Sequence, residues 1–348
     1  MIKTEDIYIL AIESSCDDTS CAILKNNYLL SNITANQSIH EQYGGVVPEL
    51  ASRDHQKNIL PVVDAALKKA NISLAELTAI AVTRGPGLSG SLLVGLSFAK
   101  SLSLALNIPL VEVNHMQGHI LAHFINEELR ATDFQPPDFP FICLTVSGGH
   151  TQIVKITNHL SFELLAETQD DAVGEAFDKA AKILGLPYPG GPLIDKYAQM
   201  GDSTKYKFPT PQLKNFNYSF SGVKTSFLYF IQENVKANPQ FIQEHLNDIC
   251  ASYQAHLISY LLKNLLSVAK ENNCKQIAIA GGVSANTGLR TELDSLGKKQ
   301  LWKTFIPKFE YCTDNAAMIG IVGYYKYLNK DFSDLSITPL ARHLVEHK

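Results

Sequence analysis

The chain has 348 residues, of which 45% are hydrophobic and 18% are charged. This composition excludes a disordered or fibrous chain, and the length is sufficient for two domains of ordinary size. The formal net charge of -4 gives no general attraction to nucleic acid or to a membrane surface. A nucleic-acid partner would therefore require a local basic patch or a helper subunit.

The cysteines and the apolar segments indicate where the protein resides. Six cysteines include no Cys-x-x-Cys pair, which favours a reducing cytosol. Residues 1–6 lack the apolar core of a signal peptide. The weakly charged run at 85–110 contains Pro86, several serines and Lys100, and predicts a buried helix rather than a membrane span. We therefore expect a cytoplasmic protein that has no membrane association.

The first half of the chain begins with a pattern typical of a β-hairpin. Residues 7–12 are apolar and rich in β-branched side chains, residues 13–20 are polar, and residues 21–24 are apolar again. The tip of this hairpin carries acidic and hydroxyl groups. Further on, the pattern predicts a helix at 60–70, and then a strand, a glycine-containing loop and a second helix from residue 78 onward.

The second half of the chain repeats this plan. It has a strand, a tight loop and a return strand, followed much later by a strand, a glycine-rich turn and a helix. These segments are, in the same order, 141–146, 147–150, 151–154, 276–280, 281–286 and 287–296. The duplication predicts two similar α/β lobes that face each other across a cleft.

The lobe boundaries follow from breaks in the pattern. Closely spaced prolines at 136–140 predict a linker, since such a stretch cannot continue a helix. The N-terminal lobe is therefore expected at residues 1–135 and the C-terminal lobe at 140–315. The C-terminal lobe contains a helical insertion at about 170–272. A terminal helix at about 318–330 is expected to pack back on the N-terminal lobe.

Histidines recur at every fourth position in residues 113–123. On a helix this spacing places His115, His119 and His123 along one face. Two imidazoles one turn apart can hold a divalent metal if other ligands come from elsewhere, although a polar helix face has the same pattern. Asp314, before the terminal helix, is either an ordinary helix cap or the best-placed distant carboxylate to complete a site with His115 and His119.

Two glycine-containing loops are candidates for anion binding. Residues 147–150 lie between two strands, where glycines allow backbone N–H groups to converge on an anion, although an ordinary hairpin turn has the same pattern. Residues 281–286 join a strand to a helix and could hold a nucleotide at the helix N-terminus. This second loop lacks the Gly-x-Gly-x-x-Gly fingerprint, and its glycines could equally serve packing.

A charged run and a proline-glycine run complete the set of candidate stretches. Asp171, Glu175, Asp178 and Lys179 lie near one face of a predicted helix, a pattern typical of a solvated charged surface. Residues 188–192, Tyr-Pro-Gly-Gly-Pro, predict a rigid loop. The small side chains of that loop would let a flat ligand ring lie against the backbone.

Taken together, these stretches resemble the bacterial TsaD type of the family that makes N6-threonylcarbamoyladenosine in tRNA, formerly labelled O-sialoglycoprotein endopeptidases. Each motif is modest alone, but the ordered set is specific, and residues 331–348 match no motif. The resembling stretches are 12–19, 85–87, 115–119, 146–150, 171–179, 188–192, 219–224, 281–286 and 313–315.

The resemblance implies the actin-like ATPase fold, which sugar kinases, heat-shock chaperones and actin share. It implies metal ligands at His115, His119 and Asp314, with iron (Fe²⁺) as the first choice and zinc as the second. His123 lies outside the matched motif and is left out of the metal site. The implied substrate-binding residues are Val146, Ser147, Gly148, Gly149, His150, Asp178, Gly191, Asp195 and Asn286. The candidates for phosphate contacts or for support of the metal ligands are Glu13, Ser14 and Asp17.

The resemblance also implies substrates and partners. The donor would be threonylcarbamoyl-AMP, so an adenylate or ATP-type nucleotide is expected in the cleft. The acceptor would be the adenosine 3′ of the anticodon in tRNAs that read codons beginning with A. The implied partner proteins are a metal-less paralogue of the TsaB type, an ATPase of the TsaE type and a separate synthase of the TsaC type. No residue stands out as a general base, and none is named.

Two other functions compete with this interpretation. A zinc metalloprotease needs a glutamate directly after the first histidine to activate water, and this chain has Met116 there. A sugar kinase or ATP-driven binding module would use the hairpin tips for phosphates and magnesium, but would not need a histidine pair. The metal content of the purified protein therefore distinguishes the transferase from the kinase.

Overall fold

The fold is described from a computed structural model, which covers residues 6–127, 134–211 and 213–345. The first five residues, on which the signal-peptide prediction partly depends, lie outside the described residues. The chain forms two compact units. The first comprises Met1–Pro137, Thr157–Phe162 and Pro307–Lys348, and the second comprises Asp138–Ile156 and Glu163–Ile306.

A five-stranded sheet forms the centre of the first unit, with the strand order β3-β2-β1-β4-β5. The strands are β1 (Tyr8–Glu13), β2 (Thr19–Lys25), β3 (Tyr28–Ala35), β4 (Ala79–Gly85) and β5 (Leu110–Asn114). β1 and β2 form the predicted antiparallel hairpin, whereas β4 and β5 run parallel to β1. The polar tip predicted from the sequence therefore lies at the carboxyl end of β1, beside the ends of β4 and β5.

The strands of the first unit are followed by the helices α1 (Pro48–Ala70), α2 (Ser89–Leu106) and the short α3 (His115–Leu121). One face of the sheet packs against α1 and α2 through a core that includes Leu10 and Val82. Burial of these apolar side chains supplies most of the stabilisation of this layer, because each fully buried aliphatic side chain contributes about 1.5–3 kcal/mol.

Helix α2 is the one helix in the described part of the chain that is long and apolar enough to cross a membrane by length and composition. About a third of its residues are buried against the rest of the first unit. The buried positions include Leu92, Leu96 and Ala99, which recur at helical spacing. A core helix of this kind passes the same test, so the apolar run at 85–110 is weak evidence for a membrane span.

The second unit has a five-stranded sheet with the same plan. Its strands are β6 (Phe141–Val146), β7 (Thr151–Asn158), β8 (Ser161–Glu167), β9 (Gln276–Ala280) and β10 (Lys303–Phe305), in the order β10-β9-β6-β7-β8. β7 is antiparallel to β6, and β9 and β10 continue in parallel from β6. Because strand order and direction repeat those of the first sheet, the predicted duplication is confirmed.

Among the residues that the structure describes, four α-helices lie between β8 and β9, and one follows β9. They are α4 (Val173–Ile183), α5 (Gly190–Ala198), α6 (Ser221–Ala237), α7 (Phe241–Glu271) and α8 (Thr287–Gln300). Their core contains large aromatic side chains, among them Phe177, Phe220, Phe227 and Tyr253. The helices fix the positions of side chains that the sequence assigned to substrate binding.

The predicted rigid loop at 188–192 is wrong from Gly190 onward, because α5 begins there. Asp178 Oδ1 accepts hydrogen bonds from the backbone N–H groups of Gly190 and Gly191, at 2.9 and 3.2 Å. The first N–H groups of a helix have no acceptor within the helix itself. Asp178 supplies that acceptor from another helix and so stabilises the start of α5. Pro192 is tolerated in that turn because its missing N–H would have had no intrahelical partner.

Asp170 fixes the start of α6. Its carboxylate accepts hydrogen bonds from the backbone N–H groups of Phe220 and Ser221 and from the hydroxyls of Ser219 and Ser221, at 2.5–3.3 Å. Partial burial raises the pKa of Asp170, but these hydrogen bonds outweigh it, and the pKa is lowered overall. The ionised carboxylate therefore stabilises the fold above its unfolded pKa, and this contribution is lost as the pH falls through the lower folded pKa.

Asp170→Asn is therefore expected to lower the free energy of unfolding by about 1–2 kcal/mol at pH 7, because an amide group would face donors. The difference from the unchanged chain should shrink as the pH falls below about 4. Urea unfolding at pH 7 and at pH 3 measures both values. Asp294→Asn, in an exposed ion pair with Lys298, is the control. An equal loss of stability at both pH values would contradict the assignment.

The last helix, α9 (Ala316–Leu328), belongs to the first unit and packs on β1, β2 and β4. The preceding segment from Pro307 also lies in the first unit, whereas the sequence-based boundaries placed residues up to 315 in the other lobe. Asp314 consequently lies in the same unit as His115 and His119.

Candidate functional site

Two buried histidines lie on α3, directly after β5. Asn114 caps this helix, since its Oδ1 accepts hydrogen bonds from the N–H groups of Met116 and Gln117 at 2.9 and 3.3 Å. The rings of His115 and His119 face each other edge-on, with their centroids 4.7 Å apart. Helix α3 ends at Leu121, so His123 lies in the following 3-10 turn and outside the helix that carries the pair.

Asp314 brings a carboxylate to both histidines. Its Oδ1 lies 3.3 Å from Nε2 of His115 and 3.3 Å from Nε2 of His119. The alternative that Asp314 caps the terminal helix is wrong, because Asn315 is the cap and its Oδ1 accepts from the N–H of Met318 at 3.0 Å. Asp314 is therefore left to interact with the histidines.

These three side chains fit a divalent metal. One ligand atom from each lies within 4.8 Å of the others, in the part of the chain that the structure describes. Neither ring nitrogen of His119 has a hydrogen bond of good geometry, although the residue is only 1% exposed and its Nε2 lies 3.3 Å from Asp314 Oδ1. Buried polar atoms rarely lack a well-aligned partner, and a bound ligand is the usual explanation. Two imidazoles and a carboxylate suit iron(II) and zinc.

Glu13 supports His115 from the end of β1. This carboxylate is fully buried; its Oε2 accepts from Thr83 Oγ1 at 2.5 Å and from His115 Nδ1 at 3.0 Å, and its Oε1 accepts from Ser15 N. The hydroxyl of Ser15 lies 3.1 Å from the same Nδ1. A proton held on Nδ1 leaves Nε2 free to bind a metal on the side of Asp314. A metal-binding histidine usually donates its other ring N–H to a carboxylate in this way.

The other two candidates at the hairpin tip, Ser14 and Asp17, have surroundings that differ from those of Glu13. Ser14 donates its hydroxyl hydrogen to the carbonyl of Ser91 at 3.0 Å, so its side chain serves the packing of α2 against β1. Asp17 is half-buried at the hairpin tip. Burial, followed by neighbouring carboxylates, raises the pKa of the adjacent Asp18 to about 7. The tip is thus an acidic environment, and a bound cation would reduce the repulsion between its carboxylates.

The carboxylates of Asp314 and Glu13 favour positive charge on His115. Burial alone lowers the pKa of His115, but the carboxylates of Asp314 and Glu13 outweigh it and raise the pKa well above its ordinary value. Burial opposes ionisation of Asp314, yet the two histidines lower its pKa overall. Burial lowers the pKa of His119. The same carboxylates that favour a proton on His115 would favour a divalent cation between the rings.

In the second unit, two glycine-containing loops lie side by side. The loop 147–150 is closed by hydrogen bonds from Ser147 N to the His150 carbonyl at 2.8 Å and from His150 N to Ser147 Oγ at 3.0 Å. Space beside Gly148 and Gly149 is open, which leaves their backbone accessible. Gly281 has φ +86°, and a Cβ there would lie 2.5 Å from the carbonyl oxygen of Val146. Only glycine allows this approach between the two loops.

A buried hydrogen-bond network holds two further predicted residues. Asp195 Oδ1 accepts from Gln254 Nε2 at 3.0 Å and from Thr287 Oγ1 at 2.8 Å, and its Oδ2 accepts from Thr287 N at 3.0 Å. Asn286 donates its Nδ2 to Gln254 Oε1 at 2.7 Å and caps α8 by accepting from Leu289 N. Gln254 therefore joins Asp195 to Asn286.

The remaining residues of the charged run have separate roles. Asp178 anchors the start of α5, and burial raises its pKa although the two glycine amides oppose the shift. Lys179 instead forms ion pairs with Asp171 and Glu175. The charged face predicted for this run is thus half-buried, and its charges are paired with one another, except that the carboxylate of Asp178 accepts from backbone N–H groups.

Sequence reasoning missed Thr83, Ser15 and Gln254. Thr83 lies in β4 two residues before Gly85, and Ser15 lies within a matched stretch, but no local pattern indicates the partner of either residue. Gln254 carries a weak signal, since it is a buried polar residue within the largely apolar middle of α7. Buried polar side chains need partners, and that requirement could have marked it as part of a network.

Comparison with known proteins adds independent support. The family model for TsaD, tRNA N6-adenosine threonylcarbamoyltransferase, matches residues 28–321. Proteins of that name from Christiangramia forsetii and Cytophaga hutchinsonii are 62% and 54% identical to this chain over 342 and 340 residues. The alignments cover 98% of this chain in both cases, and 99% and 97% of the two relatives.

A solved structure supports the fold. Full-length HypF in its phosphate- and nucleotide-bound form aligns with a TM-score of 0.61 over 94% of this chain and 47% of the HypF chain. The sequences are 13% identical, so the likeness concerns the fold alone. The two sheets of equal strand order and this likeness define an α/β protein with the predicted actin-like ATPase fold.

The chain belongs to the TsaD family of tRNA N6-adenosine threonylcarbamoyltransferases. The family and the transferase class predicted from the sequence are therefore confirmed. The metalloprotease alternative is set aside, in agreement with Met116 at the position where a zinc protease requires glutamate.

Proposed function

We propose that the chain transfers the threonylcarbamoyl group of threonylcarbamoyl-AMP to the exocyclic amine of the adenosine 3′ of the anticodon, in tRNAs reading codons that begin with A. The observation that carries this proposal is the group formed by the buried His115 and His119 and the half-buried Asp314 in a chain of this family. The metal is proposed to be iron(II), with zinc as the alternative.

The reaction needs positioning more than a strong base. The acceptor amine is a weak nucleophile because its lone pair is delocalised into the adenine ring, whereas AMP is a good leaving group. The new N6–carbon bond forms as the carbon–oxygen bond to AMP breaks, and the amine releases a proton. Orientation of the two substrates and stabilisation of charge on the carbamoyl oxygen and phosphate should supply most of the acceleration.

The roles of individual side chains follow from their contacts. His115, His119 and Asp314 would hold the metal, which when bound supplies a Lewis acid and a template. Glu13 and Ser15 orient His115. The nine residues of the second unit named from the resemblance would hold the adenylate, with the open backbone of Gly148 and Gly149 available to an anionic group. We assign no general base, and Asp17 is kept as a candidate phosphate contact.

The partners are part of the proposal. Because the net charge is -4, the chain alone should bind tRNA weakly and with a steep dependence on salt. A TsaB-type paralogue and a TsaE-type ATPase would assist it, and a TsaC-type synthase would supply threonylcarbamoyl-AMP. The proposed location is the cytoplasm, in agreement with six cysteines that include no Cys-x-x-Cys pair.

Reconstitution tests the proposal. The chain is combined with tRNA, threonine, bicarbonate, ATP and the three partner proteins, and the nucleosides are analysed by mass spectrometry. We expect N6-threonylcarbamoyladenosine only when the chain is present. A partner set that works with a relative from this family but gives no product with this chain would contradict the proposal.

Gln254 provides a prediction about the adenylate site. Gln254→Leu keeps most of the volume but removes the hydrogen bonds to Asp195 and Asn286. We expect the KM for threonylcarbamoyl-AMP to rise about tenfold with a smaller change in kcat, because the affected contacts bind substrate and transition state alike. The free energy of unfolding should fall by about 1–3 kcal/mol, since two buried polar groups lose a partner.

Steady-state kinetics with varied adenylate and urea unfolding give the two values. Gln243→Leu, at an exposed position of the same helix, is the matched control and should change neither. A loss of stability with an unchanged KM would show that Gln254 serves packing alone.

A further inference from the structure

The part of the chain after α9 matched no motif, yet it is firmly attached to the first unit. We call residues 331–345 the strap. Ser333 pairs with Leu110 at the edge of β5, with Ser333 N 2.8 Å from the Leu110 carbonyl oxygen. Lys100 Nζ donates to the Ile337 carbonyl, and Arg84 Nε donates to the Thr338 carbonyl at 2.9 Å. Ile337 itself packs against the core.

The strap next reaches the Gly-Pro-Gly loop that follows β4. Leu340 N donates to the Arg84 carbonyl at 2.8 Å, and Gly87 N donates to the Ala341 carbonyl at 3.2 Å. A Cβ at Gly85 would lie 1.9 Å from the Leu340 carbonyl oxygen, so the strap needs glycine there. The adjoining Leu88 N donates to the Ser15 carbonyl at 2.8 Å. The loop that receives the strap therefore also holds the residue whose hydroxyl contacts His115 Nδ1.

The strap ends on the histidine helix itself. Asn114 Nδ2 donates to the carbonyls of His343 and Leu344 at 3.2 and 2.8 Å. Gln117 Nε2 donates to the Val345 carbonyl at 2.9 Å, and the Val345 side chain is 1% exposed. Asn114 is the cap of α3, and Gln117 lies between the two histidines. One amide thus caps the helix through its oxygen and binds the strap through its nitrogen.

We propose that strap residues 340–345 position His115 and His119, so that docking of the strap and binding of the metal stabilise each other. Helix α3 has only seven residues, and a helix this short depends on tertiary contacts for its stability. The strap supplies those contacts to the cap residue Asn114 and to the first turn of α3. It also binds the Gly-Pro-Gly loop, which is followed by the Leu88 N–H that donates to the Ser15 carbonyl. This inference rests on the proposed function only in assigning the metal to His115, His119 and Asp314.

Linkage makes the proposal quantitative. If the docked strap raises metal affinity by some factor, the bound metal raises the docking constant of the strap by the same factor. Loss of groups that orient metal ligands typically lowers affinity about 10- to 100-fold. We therefore expect that range for complete loss of the strap end, and a smaller loss when a single contact is removed.

The first test compares two truncated chains with the full chain. A chain ending at Thr338 loses all strap contacts to the Gly-Pro-Gly loop and to α3, whereas a chain ending at Val345 keeps each one named above. Zinc affinity is measured by competition with a chromophoric chelator. We expect about 10- to 100-fold weaker binding for the shorter chain and unchanged binding for the control. Gln117→Leu, which removes only the bond to the Val345 carbonyl, should weaken zinc binding less and leaves the chain complete.

The second test uses the unaltered chain and does not depend on any variant folding correctly. Hydrogen exchange of the Leu340 and Gly87 amides, both bonded between strap and loop, is followed with and without zinc. We expect slower exchange with zinc, whereas the Ser333 amide, bonded to the Leu110 carbonyl, serves as internal control and should not change.

The outcomes separate the two proposals. Full-strength zinc binding by the chain ending at Thr338, or unchanged exchange at Leu340 and Gly87, overturns the positioning role of the strap and leaves the metal site standing. A full chain that binds no zinc and no iron(II) contradicts the metal site, and the strap proposal falls with it.

Discussion

His115→Ala and His119→Ala are each expected to remove bound metal and to reduce threonylcarbamoyl transfer at least about 1,000-fold. Each substitution deletes one of two imidazoles around a single carboxylate oxygen, 3.3 Å from both Nε2 atoms. A Lewis acid contributes several kcal/mol to stabilising developing charge, and each 1.4 kcal/mol is a factor of about ten in rate. Elemental analysis of the purified variants and mass spectrometry of the tRNA product measure the two effects.

The chain offers its own control for this experiment. His123 continues the every-fourth-residue spacing but lies in the 3-10 turn after α3. His123→Ala should therefore retain close to one metal per chain and most of the activity. Full metal content in His115→Ala, or equal losses in all three variants, would contradict the assignment of ligands.

Glu13→Gln is the second substitution with a large expected effect. The carboxylate accepts three hydrogen bonds in full burial, from Ser15, Thr83 and His115. An amide at this position turns its NH₂ group toward at least one donor, which leaves a buried donor unpaired at a cost of about 1–3 kcal/mol. The support of His115 Nδ1 is weakened as well, and we expect metal affinity to fall about 10- to 100-fold.

Chelator competition and urea unfolding separate these two effects. Glu49→Gln, at an exposed carboxylate that pairs with Arg53 on α1, controls for the change of charge. If Glu13→Gln destabilises the fold but binds metal with unchanged affinity, then Glu13 serves the packing of β1 and β4 and does not orient the ligand.

Local signals explain what the sequence predicted correctly. Apolar runs separated by a short polar or glycine-containing segment define the β1–β2 hairpin and its repeat in the second unit, because strand pairing between chain neighbours is encoded in adjacent residues. The His115–His119 pair is visible for the same reason, since four-residue spacing is a property of one helix. The family resemblance was needed to add Asp314.

Interactions between distant segments explain what the sequence did not reveal. Glu13 and His115 are 102 positions apart, and Gln254 joins Asn286 across 32 positions. In neither pair does a sequence pattern at one residue identify its partner. The start of α5 was missed for a related reason, because the Pro-Gly-Gly-Pro sequence is a local turn signal that the distant acceptor Asp178 overrides. The strap has no local pattern at all, and its role depends on backbone carbonyls, which every residue possesses.

Helix α9 packs so closely against its neighbours that substitutions of glycine at these contacts should be poorly tolerated. A Cβ at Gly118 would lie 3.1–3.3 Å from atoms of Met318 and Ile319, and a Cβ at Gly323 would lie 2.5 Å from that of Ala81. The methyl group at Gly323 would require α9 to move away from β4, whereas the one at Gly118 would require Met318 and Ile319 to give by a few tenths of an ångström. The positions with the lowest mutational tolerance should therefore include glycines that touch no substrate, and a saturation library selected for activity should be depleted there as strongly as at the ligands.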